Sequence, residues 1–189
     1  MTNPTTHSLQ GQFLVAMPNL ADSFFERKLI YLIEHNEKGA MGLVINQALD
    51  VRVDDILEQF GEPDRQSHHP DKILAGGPVE ANRGFIVHRT QEAQWLGETA
   101  MDDGISVTSS ADILEALAQG QNIGPYLLIL DYAGWDAGQL EQEILDNAWL
   151  VIPANPEVFF NIELEHRLDA SLHSLGINYS QLSHGAGRA

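Results

Sequence analysis

Two stretches, Leu29-Ile30-Tyr31-Leu32-Ile33 and Met41-Gly42-Leu43-Val44-Ile45, are apolar at even and odd positions alike. Each therefore predicts a strand buried on both faces. The polar link His35-Asn36-Glu37-Lys38-Gly39 between them ends in Gly and predicts a hairpin connection. Val53, Ile56, Leu57 and Phe60 then share one helical stripe, with Asp54 and Asp55 in the first turn, where the helix dipole favours negative charge, and Gly61 ends that short helix. From Gly61 to Asp71 no large apolar residue occurs, which predicts an exposed, mobile loop.

Lys72 to Ala75 and Phe85 to His88 are strand-like and are separated by Gly76-Gly77-Pro78. A second pair is divided by Asp102-Asp103-Gly104, with Ile105 to Val107 as its later member. Ser109 stands where it can cap a helix carrying Ile113, Leu114 and Leu117 on one stripe, with Asp112 in capping-box position, and Gly120 closes that helix. Tyr126 to Leu130 is the most apolar strand. It precedes a helix with Leu140, Ile144 and Ala148 inward and a strand from Trp149 to Ile152. A last helix near Glu163 to Leu175 stripes Leu164, Leu168, Leu172 and Leu175, with Gly176 at its C-terminal cap. Strands in runs, broken irregularly by helices, predict an α+β fold on a mostly antiparallel or mixed sheet rather than a regular βαβ winding.

With 189 residues and no interdomain linker or long repeat, the whole chain reads as one domain, with 1–11 and 183–189 as frayed termini. Ten Lys and Arg against 27 Asp and Glu give a net charge of −17, so the molecular field repels phosphate and the basic footprint of a nucleic-acid binder is missing. No cysteine is present, which excludes disulfides, Fe–S clusters, thiolate zinc and cysteine nucleophiles. Neither Lys nor Arg precedes Arg27, the apolar stretch Phe13 to Met17 is too short for a signal core, and no run approaches bilayer length. The expectation is a cytoplasmic protein with no membrane partner.

Phosphate-loop, dinucleotide-binding, nucleophile-elbow and zinc-helix strings are all missing. His68-His69 lacks a second ligand pair, and His166 and His173 lie opposite the leucine stripe, so no metal and no cofactor is expected. Glu141 and Glu143 read as solvated acids in a first helical turn. Asn147, seven residues after Leu140, returns to the apolar stripe and reads as a buried amide pinning a loop.

Several segments in order resemble the AlgH/YqgE family. They are Phe13 to Pro18, Phe25-Glu26-Arg27, Glu34-His35-Asn36 with Gly39 to Gly42, Gly76-Gly77-Pro78-Val79 with Arg83-Gly84-Phe85 and His88, Gly134-Trp135 with Gly138 to Glu141, and Asn147 to Leu150. The resemblance runs from Gln12 to Gly185-Ala186-Gly187. It implies a single α+β domain whose mixed sheet curls into a partial barrel with helices packed outside. About function it implies an association with transcriptional regulation of alginate production in some bacteria, and no established reaction. The chain departs from the pattern at Gln47-Ala48 after Asn46, where Arg-Pro is usual, at Asp131, where Gly precedes Tyr132, and at Leu168, a common Trp position.

The glycine pair lets another group approach the backbone, Arg83 is a forked cation nearby, and His35 and His88 share strand parity with inward Ile33 and Ile86. The bland account of the same residues is a tight turn, an Arg paired with an acid and two hydrogen-bonded core histidines. The candidate ligand- or partner-binding residues are His35, Asn46, Gly76, Gly77, Arg83, His88 and Asn147, with no catalytic residue assigned. These point to a non-enzymatic regulatory or binding protein acting through a protein partner or small ligand without direct nucleic-acid contact. The alternative is an enzyme with a small polar pocket around Gly76-Gly77, Arg83 and His88.

Overall fold

The computed structural model describes residues 8–21, 23–62, 69–92, 95–101 and 103–185; most of the 61–71 connection, His68, Asp102 and the outer parts of both expected frayed termini lie outside it. The strands are β1 (Gln12–Ala16), β2 (Leu29–Asn36), β3 (Gly39–Val44), β4 (Leu74–Ala75), β5 (Val79–Arg89), β6 (Thr99–Ala100), β7 (Ile105–Thr108), β8 (Tyr126–Asp136) and β9 (Trp149–Pro153). The helices are α1 (Val53–Leu57), α2 (Ala111–Ala118), α3 (Gln139–Leu145), α4 (Pro156–Phe160), α5 (Arg167–His173) and α6 (Tyr179–Gly185), with short 3-10 turns at Pro18–Leu20 and Leu164–His166. Helix α6 begins inside a polar segment that gave no helical signal, and it reaches into the stretch expected to fray.

The strands form one sheet in the order β6-β7-β5-β8-β3-β2-β1-β9, with β4 added on β8. All pairings are antiparallel except β4 on β8, so the sheet is mixed. It curls into a half-barrel, and the packing reflects this. One face of nearly every strand feeds a single interior cluster that includes Phe13, Tyr31, Leu43, Phe85, Val107 and Ile129. The other face divides in two: α3 covers Leu14, Ile30, Leu32 and Trp135, while α1 and α2 cover Ile86, Tyr126 and Leu128. Helices α4 and α5 contribute Val158, Phe159, Leu168 and Leu172 to the interior cluster and close the open side. The α+β fold on a mixed sheet is the one the residue pattern predicts, and its curl into a half-barrel is what the family resemblance implied.

Strand β8 is the hub. Leu74 and Ala75 pair with Ile129 and Leu130 on one edge, whereas Phe85 and Gly84 pair with the same two residues on the other. The chain must therefore cross over β8 between β4 and β5, and it does so at Gly76-Gly77. A Cβ on Gly76 would stand 2.3 Å from the Asp131 carbonyl oxygen, and one on Gly77 would stand 2.0 Å from the Tyr132 carbonyl carbon. Only glycine permits backbones to lie this close. The group that the glycine pair admits is thus β8 itself.

Candidate functional site

Most of the candidate residues are held in structural hydrogen bonds. His35, on β2, is 7% exposed; the Leu9 N–H donates to its Nδ1 at 2.9 Å, which leaves Nε2 to donate to Glu141 at 3.0 Å. This ring ties the N-terminal segment and α3 to the sheet. His88 is fully buried on β5; its Nδ1 donates to the Arg89 carbonyl and its Nε2 faces the Thr108 hydroxyl, each at 2.9 Å. Both histidines have a partner at each ring nitrogen. Asn46 accepts from the Leu29 N–H and donates to the Arg27 carbonyl, both at 2.9 Å, and so fixes the entry to β2. Arg27 holds a left-handed φ of 53° there, a conformation non-glycine residues adopt at a cost unless neighbours enforce it.

Asn147 corrects the sequence reading. It is exposed rather than buried, with φ of 56°, and it follows α3 instead of continuing it. Its N–H bonds the Ile144 carbonyl at 3.0 Å, and that of Ala148 bonds Glu143 at 2.8 Å, the paired reverse bonds of a Schellman ending. Asn is chosen because its short polar side chain tolerates this left-handed conformation better than any larger residue. Asn147→Gly should therefore match or exceed wild-type stability, while Asn147→Leu should cost about 1 kcal/mol. Urea melts measure both, and a stable Leu variant beside a weakened Gly variant would contradict the capping role.

Glu141 and Glu143 are likewise not solvated acids, because α3 lies against β3, β8 and β9. Glu141 receives His35, and Glu143 Oε2 accepts both indole N–H groups, from Trp135 at 2.8 Å and Trp149 at 2.7 Å. The two indoles meet edge to face at 5.7 Å with Phe25 packed on both, so one carboxylate organises an aromatic cluster. The helix cap at α2 is Ser110 rather than Ser109, and its hydroxyl bonds Asp112, whose other oxygen accepts the Leu96 N–H at 3.0 Å. His166 and His173 are exposed, as expected, and His166 gathers with Glu163 and Glu165, also exposed.

Arg83 is the candidate that remains available. The expected acidic partner is missing: among the described residues no carboxylate lies within ion-pair distance of its guanidinium. The group instead lies 4.9 Å from the centre of the Phe85 ring, and Nη2 donates to the Ser109 hydroxyl at 3.4 Å. Freed from capping α2, Ser109 faces this cation. Together they stand at the mouth of a small cavity of about 110 Å³ whose floor is Ile33, Phe85 and Val107 and whose rim carries Glu34 and Thr99. Gly76, Gly77 and His88 do not line it. The constellation imagined for an enzyme pocket is therefore not assembled, and Arg83 with Ser109 is what its place becomes.

Arg167 escaped sequence reasoning. Only 6% exposed, it has no carboxylate partner among the described residues and instead donates to the carbonyls of Ile45, Phe159 and Ile162. Burial without a counter-ion pushes its pKa down to about 10. The available signal was its spacing, since Arg167 lies three residues after Leu164 and beside Leu168 on the stripe that faces the sheet.

These features define an α+β half-barrel with a small polar pocket at one mouth. The AlgH-like family model (DUF179) matches residues 13–180, and the chain belongs to that family. A UPF0301 protein of Shewanella oneidensis is 46% identical over 186 residues, spanning 96% of this chain and 99% of the relative. One from Ralstonia pickettii is 45% identical over 186 residues, spanning 96% of each. Among solved structures, the solution structure of the AlgH protein from Pseudomonas aeruginosa covers 100% of both chains at 39% identity with a TM-score of 0.76. A crystal structure of a Corynebacterium diphtheriae protein shares the fold at 21% identity and a TM-score of 0.72, covering 96% of this chain and 94% of its own.

Proposed function

We propose that this AlgH-like chain is a non-enzymatic regulatory binding protein of the cytoplasm, which takes up a small anionic ligand, a carboxylate or phosphate monoester, at Arg83 and passes the occupied state to a protein partner. The supporting observation is a guanidinium with no carboxylate partner among the described residues: in a chain of net charge −17, Arg83 stacks on Phe85, lines a cavity and donates to the Ser109 hydroxyl. A guanidinium fork so placed suits a planar or tetrahedral oxyanion. Repulsion from the distant acids falls off beyond the ~8–10 Å screening length at physiological salt, which leaves Arg83 and the rim carboxylate of Glu34 as the charges that line the pocket. The other described cations argue against duplex DNA as the partner. Arg27, Arg52, Lys72 and Arg89 each lie within ion-pair distance of a carboxylate and Arg167 is buried, which leaves Lys28 and Lys38, too few among the described residues for a row of charge facing phosphates.

Thermal melts with succinate and with inorganic phosphate test this reading. Wild-type protein should be stabilised by an increment that grows with the logarithm of ligand concentration above Kd. Arg83→Met should melt within about 0.5 kcal/mol of wild type, because the residue is exposed, and should lose the anion response. An unchanged response in the variant would refute the site. Substrate-dependent turnover lost in Arg83→Ala without loss of folding would establish the enzymatic alternative instead.

A further inference from the structure

The sheet of the half-barrel does not close on itself. It ends at β6 on one side and β9 on the other, and residues at both ends line a single cavity of about 380 Å³. That volume lies within the ~300–1,000 Å³ range of small-molecule sites. Ala100 of β6 and Met101 form one wall, Pro153 at the end of β9 forms another, and Gln10, just before β1, and Gln12, its first residue, complete the lining. The cavity is distinct from the Arg83 pocket, which shares with it only Met101.

Among the described residues its one charged lining residue is Asp103, and this carboxylate is fixed from behind. Tyr31, wholly buried between Phe13 and Phe159, donates its hydroxyl to Oδ2 at 3.0 Å, and the Ile105 N–H donates to Oδ1 at 3.1 Å. Among the described residues no Lys, Arg or His lies within ion-pair distance of Asp103, and none lines the cavity. Each carboxylate oxygen keeps a lone pair beyond the bond it already accepts. The Gln10 amide is turned toward the Ile33 carbonyl at 3.0 Å and the Met101 sulfur at 3.5 Å, which holds the seam together by side chains where a strand ladder is lacking. A half-buried, oriented carboxylate facing polar amides and a thioether, in an acidic molecule, selects positive charge.

The geometry points to a second ligand site, in the unclosed seam between β6 and β9, that binds a small organic ammonium ion with Asp103 as its counter-charge. Tyr31 acts as a positioning residue that holds the carboxylate toward the cavity.

Amide chemical shifts of the full chain, followed while ethylammonium or putrescine is titrated in, test the site. Saturable shifts should appear at Gln10 to Gln12 and at Met101, Asp103 and Gly104, while acetate at equal concentration should leave these amides unmoved. Asp103→Asn should weaken amine binding by about tenfold or more, the loss of one charge-assisted contact. Ala100→Phe, which adds a ring to the cavity wall and leaves Asp103 and Tyr31 as they are in sequence, should block it as well and decides the matter if Asp103→Asn fails to fold. No saturable shift at these amides, equal shifts with acetate, or amine binding unchanged in Ala100→Phe would overturn the site. Because Arg83 lies outside this cavity, Arg83→Met should bind amines normally, so the two sites stand or fall separately.

Discussion

Gly77→Ala is expected to leave no stably folded protein. The new methyl carbon would meet three backbone atoms of β8 at once, the Tyr132 carbonyl carbon at 2.0 Å, its oxygen at 2.1 Å and the Ala133 nitrogen at 2.2 Å. No rotamer change can relieve a clash with backbone. The crossing segment would have to lift away from β8, breaking the bond from the Gly76 N–H to Leu130 at 2.7 Å and that from the Val44 N–H to Gly76 at 2.8 Å. Both bonds join neighbouring strands at the centre of the sheet. The expected loss exceeds about 4 kcal/mol, the range reserved for overpacking and broken buried networks. Gly84→Ala is the control: its Cβ would come no closer than 3.7 Å to the Leu130 side chain, so it should stay within about 1 kcal/mol of wild type. Circular dichroism and urea melts of the two variants compare them directly. A Gly77→Ala protein that melts like wild type would show that the crossing is placed wrongly.

Arg167→Met should be the next most damaging change. A buried ion pair can often be replaced by apolar residues at little cost, because both charges leave together. Arg167 differs, because its partners are backbone carbonyls that stay when the side chain goes. The acceptors of Ile45, Phe159 and Ile162 would be stranded, each at about 1–3 kcal/mol, and the summed loss should reach at least about 3 kcal/mol despite relief of the guanidinium's desolvation. These bonds also connect α4 and α5 to the end of β3, so the helices that close the half-barrel should loosen first. Arg167→Lys keeps the charge but not the fork and should fall between. A urea midpoint for Arg167→Met equal to wild type, at unchanged slope, would contradict this role.

The strands at 29–33, 41–45 and 126–130 were legible because burial on both faces leaves a continuous apolar run, and α2 and α5 were legible from their stripes. The order of strands was not legible, since pairing across the chain leaves no local trace. Strand β8 continues to Asp136 past Asp131, whose φ of 66° makes a bend where a β-propensity reading stops. The family's usual glycine at that place has the same physical reason, and here the Asp131 carboxylate accepts the Asn82 N–H at 3.0 Å. Asn147 misled because seven residues along an ideal helix return to the same face, whereas this helix ends before reaching it. At the site, the glycine pair announced a close approach without naming β8 as the approaching group. Arg83 was legible as a cation, but its freedom depended on where every acid lies in three dimensions. The indole bonds to Glu143 and the Tyr31 bond to Asp103 join separate elements and leave no pattern in the sequence at all.

The account's central claim is that Arg83 and Ser109 form an anion-binding mouth on the half-barrel. Mapping amide shifts while succinate or phosphate is added to labelled wild-type protein, with Arg83→Met alongside, tests it most directly. The account predicts saturable changes confined to Glu34, Arg83, Phe85, Thr99 and Ser109, and none of them in the variant. Changes centred elsewhere, or the same changes in Arg83→Met, would contradict it.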